Sequence, residues 1–119
     1  MCKAYDIVSD LKVRVVANFL AWYVELESDY GVVDKLARAR SDRDIIDALY
    51  AALRVKERLK KRVREERNIP EEKFEERVIP GQSAIDQVFK YASECPHVVG
   101  GVLAILALSM RPYVGGGEE

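Results

Sequence analysis

Residues 98–110 read VVGGVLAILALSM, a run with no charge and almost no polar side chain. Wound into an α-helix it is apolar nearly all round, so it needs cover on every side. At roughly 13 residues it falls short of the ~20 needed to cross a bilayer. It is therefore expected as the central buried helix of a folded domain, with the rest of the chain wrapped around it. Gly100 and Gly101 weaken an isolated helix, and their presence in this one predicts close approach of a neighbouring backbone.

A chain of 119 residues is long enough for one such core and too short for two ordinary domains. Its remaining pattern is helical. Ile7, Val8, Leu11, Val15, Phe19, Trp22, Tyr23 and Leu26 recur at steps of three and four, which predicts one long helix over residues 6–28, stopped by Tyr30-Gly31. Val32, Val33 and Leu36 predict a short second helix over residues 32–40. Ser41 with Asp44 three positions on is a capping pattern, and it opens a third helix. Its apolar positions, Ile45, Ile46, Leu49, Leu53, Leu59 and Val63, carry that helix to about residue 67, where Ile69-Pro70 ends it. The charged segment from Pro70 to Pro80 is either one or two exposed helical turns or a mobile loop. Ser83 and Asp86 repeat the capping pattern for a fourth helix ending near Cys95-Pro96, and the apolar run makes the fifth. Past Pro112 the chain has nothing to pack. The expected architecture is all-α: a single-domain bundle of about five helices over residues 1–112, followed by a mobile tail, residues 113–119.

Lys plus Arg number 19 against 20 for Asp plus Glu, which excludes a globally basic nucleic-acid binder and a disordered polyanion. The chain has no Thr and only four amide side chains, with abundant Arg and Glu, a lean shared with thermophile proteins. A heat-adapted source is expected. Cys2 and Cys95 stand far apart without Cys-x-x-Cys spacing, so neither a zinc site nor a disulfide is expected, and both cysteines read as reduced in a cytoplasmic protein. Asp6 and Asp10 interrupt the first ten residues, where no signal-peptide pattern appears.

Catalytic signals are sparse. His97 is the only histidine and lies two positions from Cys95, a spacing with no triad logic, so it reads as a helix-start residue. Asp42, Asp44 and Asp47 could be offered as metal ligands, but capping and the helix dipole account for acids in a first turn. The pairs Glu71-Glu72 and Glu75-Glu76 read as solvated surface. Gly115, Gly116 and Gly117 precede no helix and make no phosphate loop. No enzyme activity, metal or cofactor is expected.

The positive signal is RVKERLKKRVREER, residues 54–67, with eight basic and three acidic side chains, followed at once by four acids within residues 71–76. One reading is a phosphate-binding face with Arg54, Arg58, Lys61, Arg62 and Arg64 as its contacts. The other is a solvated outer face whose charges neutralise one another through pairs such as Glu57 with Lys61. Lys35, Arg38, Arg40 and Arg43 could extend the stripe. Tyr50 is the only aromatic near enough to stack, so contact with the backbone of a nucleic acid is expected, without base reading.

The stretch YGVVDKLARARSDRDIIDALYAALRVKERLKKR, residues 30–62, resembles the helical core of the small subunit of archaeal type I-A CRISPR-Cas effector (Cascade-type) complexes. The C-terminal VLAILALSMRP fits the same picture, and together they cover about half to two-thirds of the chain. Some members carry an extra β-rich part, for which residues 68–82 leave little room. The resemblance implies a non-catalytic subunit in antiviral defence, with other subunits of an RNA-guided complex as partners. The five basic residues would then contact single-stranded nucleic acid or the backbone of a guide–target duplex, and base pairing would supply the sequence recognition. Apolar surface around Trp22 or the last helix would serve contacts between adjacent subunits. The competing expectation, of a different class, is a helical scaffold that self-associates or binds another protein and touches no nucleic acid.

Overall fold

The computed structural model describes residues 2–115, and every regular element among them is an α-helix. They are α1 (Ala4–Ser9), α2 (Leu11–Glu27), α3 (Gly31–Ala37), α4 (Asp42–Leu53), α5 (Lys56–Arg67), α6 (Glu71–Arg77), α7 (Gln82–Glu94) and α8 (Pro96–Ser109). The all-α expectation holds, and the count of about five does not. Two of the expected helices are broken, and residues 71–77 take the helical of the two forms open to that segment, a helix of two turns.

The first break falls at Asp10, whose backbone is extended (φ −72°, ψ 120°). One carboxylate oxygen accepts from Lys12 N at 2.9 Å and so caps α2. The other accepts from Gln87 Nε2 at 2.7 Å and Tyr91 Oη at 2.8 Å, which fastens the break to α7. Burial pushes the Asp10 carboxyl up, but these hydrogen bonds outweigh it and hold the group below its ordinary value. The second break follows Leu53, where Val55 leaves helical geometry (φ −104°, ψ 16°). The bend lets α4 pack on α3 and α7 while α5 packs on α2 and α6.

Two expected punctuation marks sit elsewhere. The left-handed residue that ends α2 is Ser28 (φ 51°), not Gly31. Asp29 secures the turn by accepting from Gly31 N at 2.8 Å and from the Tyr23 hydroxyl at 2.7 Å. Burial and the Asp29 carboxylate together push the Tyr23 hydroxyl up to about 12. At α7 the cap is Gly81, and Ser83 lies inside the helix, where Asp86 accepts from Gln82 instead. The Ser41 cap of α4 is as expected, with its hydroxyl accepting from Asp44 N at 3.4 Å.

The apolar run becomes α8, and α1, α2, α3 and α7 pack around it. Val99 and Leu103 are fully buried. A Cβ on Gly100 would stand 2.1 Å from the Leu36 carbonyl oxygen, so the predicted close approach is real there. At Gly101 it is not, because a Cβ would meet open space.

Two expectations about the chain's ends are overturned. Asn18, 2 % exposed, donates from Nδ2 to the Tyr113 carbonyl at 2.8 Å and accepts from Tyr113 N at 3.0 Å. Trp22 Nε1 donates to the same carbonyl at 2.9 Å, and Val114 packs against the core. Burying an amide is costly unless its hydrogen bonds are met, and Tyr113 meets them. The supposed tail is therefore held through these residues, while residues 116–119 of it lie outside the described part. Cys2 and Cys95 are joined in a disulfide, with Cα atoms 6.2 Å apart and a sequence separation of 93. The folding back of α1 onto α8 brings them together, which spacing along the chain cannot reveal.

The radius of gyration is 13.4 Å, as expected of one folded domain of this length. Among the described residues no helix is long and apolar enough to cross a membrane.

Candidate nucleic-acid interface

Helix α5 buries only Leu59 and Val63, and its remaining positions are largely charged. Leu59 and Val63 are four apart, so one narrow stripe faces inward and the cations fan out on both sides of it. The α2 and α6 helices flank that stripe, and each supplies carboxylates.

Arg58 grips Glu27 of α2 with both arms, Nη2 to Oε1 at 2.5 Å and Nε to Oε2 at 3.2 Å. Arg62 reaches the same carboxylate at 3.5 Å and Glu66 at 2.9 Å. Glu27 is thus shared by two guanidiniums, and its side chain is only 12 % exposed. The hydrogen bond from Arg58 lowers its carboxyl below the ordinary range, burial opposes this, and the charges of Arg58 and Arg62 add to the lowering. Arg64 pairs with Glu71 and lies 3.6 Å from Glu65. Lys60 sits between Glu57 and Glu75, 2.9 Å from each. Glu57 therefore turns to Lys60, not to Lys61 as the helical spacing suggested. Arg67 pairs with Glu25 and also lies over the Trp22 ring, 5.5 Å from its centroid.

Of the five basic residues singled out in the sequence, Arg58, Arg62 and Arg64 are occupied by carboxylates. Arg54 and Lys61 are exposed and have no carboxylate partner among the described residues. Arg54 closes α4, four residues after the exposed Tyr50 and eleven after the exposed Arg43. That spacing puts Arg43, Tyr50 and Arg54 on one outward face of α4. Tyr50 leans on Phe89 of α7, with ring centroids 6.1 Å apart, and keeps its outer side in solvent. Asp47 interrupts the line and is answered by Lys35 at 3.9 Å. The face pairing Arg43 with Tyr50 and Arg54 is readable from residue spacing, once α4 is known to expose that side.

Trp22 is 4 % exposed, buried edge-on to Phe74, and so offers no surface to a neighbour. The disulfide leaves Cys95 no thiol with which His97 could act, and His97 stands exposed at the start of α8. Asp44 is a capping residue that accepts from Arg40 N at 2.9 Å. Glu71 and Glu75 are engaged by Arg64 and Lys60. Among the described residues, no three His, Cys, Asp or Glu side chains converge to hold a metal ion.

The sequence had no visible means of announcing Glu25 and Glu27. They lie at the end of an apolar helix, Glu25 42 residues from Arg67 and Glu27 31 and 35 residues from Arg58 and Arg62. Compared with known proteins, the chain matches no family model, no curated protein and no solved structure.

Proposed function

We propose that this chain is a non-catalytic helical subunit that lies along a nucleic-acid backbone within a larger assembly, the role implied by its resemblance to the small subunits of RNA-guided effector complexes. One observation carries the reading: the outer face of α4 presents Arg43 and Arg54 around the exposed ring of Tyr50, and neither cation is matched by a carboxylate among the described residues. Lys61 extends the cationic surface onto α5. Cations take up phosphate oxygens, and an exposed aromatic ring between them stacks an unpaired base regardless of its identity. Sequence discrimination would then come from a guide strand, not from this protein. Arg58, Arg62 and Arg64 are the weaker contributors, because each must leave a carboxylate before it meets a phosphate.

The test is a fluorescence-anisotropy titration of single-stranded DNA and RNA at several salt concentrations. The Arg43→Gln/Arg54→Gln/Lys61→Gln variant is expected to bind more weakly. Its salt dependence should fall by roughly 0.7 in logarithmic slope for each phosphate that is no longer neutralised. Arg58→Gln/Arg62→Gln, the control, should change binding less. Equal weakening in both variants would return the interface to α5, and no binding by the wild type at low salt would overturn direct contact.

A further inference from the structure

The Cys2–Cys95 disulfide ties the most lightly held helix of the fold to its central one. Helix α1 is six residues long, too short to persist without support. Only Ile7 in it is fully buried, with Val8 half-buried, while Ala4, Tyr5, Asp6 and Ser9 are exposed. Arg14 Nη1 donates to the Val8 carbonyl at 3.2 Å from the next helix. One buried side chain offsets little of the entropy lost in ordering six residues, so the bond to Cys95 determines whether α1 stays docked on α8. Past α1 the hold changes at once. Asp10 caps α2, is gripped by Gln87 and Tyr91 of α7, and is followed by a helix with eleven buried residues. A release of α1 therefore stops at Asp10.

The two sulfurs are not equivalent. Cys2 is half-buried and Cys95 is 7 % exposed, so a thiolate from solution reaches Cys2 Sγ first. The leaving sulfur is then that of Cys95, at the start of α8, whose first turn has no side-chain cap and whose dipole favours a thiolate. Cys2 faces a carboxylate instead, with Glu94 Oε1 3.9 Å from Sγ, which disfavours a thiolate there. Access and leaving group select the same direction of attack, and accessible disulfides are the labile ones. We propose that this bond is a redox latch: a dithiol reductant opens it by attack on Cys2, and α1 undocks up to Asp10 while the other helices stay folded. The first thiolate forms a mixed disulfide with Cys2 as the Cys2–Cys95 bond breaks, and Cys95 leaves as a thiolate that takes up a proton. The reductant's second thiol then displaces Cys2, which is protonated in turn. The reductant ends as a disulfide, oxidised by the two electrons the protein gains. None of these residues belongs to the Arg43, Tyr50 and Arg54 face, so the latch and nucleic-acid contact stand or fall separately.

Amide hydrogen exchange of the full chain in native buffer, oxidised and after dithiothreitol, tests it. Residues 4–9 are expected to exchange at least about tenfold faster once the bond is reduced, with α2 and α8 keeping their protection. Cys2→Ser/Cys95→Ser should show the same fast segment without any reductant. Brief exposure to glutathione, a monothiol, followed by alkylation should leave the glutathione on Cys2 and the alkyl group on Cys95. Protection of residues 4–9 that survives reduction overturns the proposal. Loss of protection throughout α2 and α8 together with α1 also overturns it, because the bond would then be a staple of the whole bundle. Glutathione found on Cys95 overturns the assigned attack.

Discussion

Helices α5 and α8 are opposites, and the tertiary structure treats their excesses differently. The surplus charge of α5 is mostly answered within the molecule, by Glu25 and Glu27 from α2 and by Glu71 and Glu75 from α6. The surplus apolarity of α8 is answered on most sides and left open along Ile105 and Leu108. A count of like charges along one helix thus overstates what that helix offers a ligand, because carboxylates arrive from elsewhere in the chain. Apolar area has no such remote neutraliser: it is covered by packing or it remains exposed. Arg43 and Arg54, at the two ends of α4, and Lys61 on α5 stay exposed without a carboxylate partner among the described residues.

If α8 carries the stability and α5 mainly dresses the surface, the two sides should respond unequally to damage. The largest effect is expected on reducing the Cys2–Cys95 bond, which ties the start of α8 to the N-terminal segment. A covalent link across a sequence separation of 93 restricts the unfolded chain and is worth about 4.6 kcal/mol in the chain-entropy treatment. Guanidinium unfolding with and without a reducing agent measures it, and coincident curves would deny the bond a stabilising role. Next comes Leu103→Ala, which opens a cavity at a fully buried position of α8 and should cost about 3 kcal/mol. The exposed Lys61→Ala on α5 should change stability by less than about 0.5 kcal/mol in the same assay. Comparable destabilisation at the two positions would break the contrast.

The smallest effect sharpens the comparison from the charged side. Glu27 is held below its ordinary carboxyl value of 4.5, first through the hydrogen bond from Arg58. A carboxyl depressed by folding adds stability above its unfolded-state value, and that contribution is lost as pH falls through the folded-state value. Acid below about pH 4.5 should therefore destabilise the wild type. Glu27→Gln should lose stability at neutral pH, by less than Leu103→Ala does, and show a shallower decline in acid. Part of the decline should persist, because Asp10 and Asp29 are depressed in the same way. Parallel pH profiles for variant and wild type would show that the Glu27 pairs contribute nothing.

Much of this fold is legible from local pattern alone. The all-helical class, the central position of residues 98–110, the Ser41 cap and the close approach at Gly100 all depend on side chains three or four apart, or on the size of one residue. Local pattern failed where one residue served a distant partner. Asp10 looked like a tolerated acid inside a long helix, yet Gln87 and Tyr91 recruit it, and the helix breaks there. Trp22 looked like surplus apolar surface, yet Phe74 and Tyr113 bury it. The candidate interface was half legible for the same reason. Residue type and spacing nominated Arg54 and Lys61 together with Arg58, Arg62 and Arg64, and the three-dimensional arrival of carboxylates separated the two sets.

The sequence by itself determined that the chain is helical and that residues 98–110 lie at its centre, because those properties follow from backbone propensity and the period of apolar residues. Only the tertiary structure decided which charges stay available, how the cysteines pair and what holds Tyr113. Those outcomes join residues 31 to 95 positions apart, and nothing within a few turns of helix encodes such meetings. They arise when α1 and α2 close over α8 and bring carboxylates, thiols and a buried amide within bonding distance of partners remote in the chain.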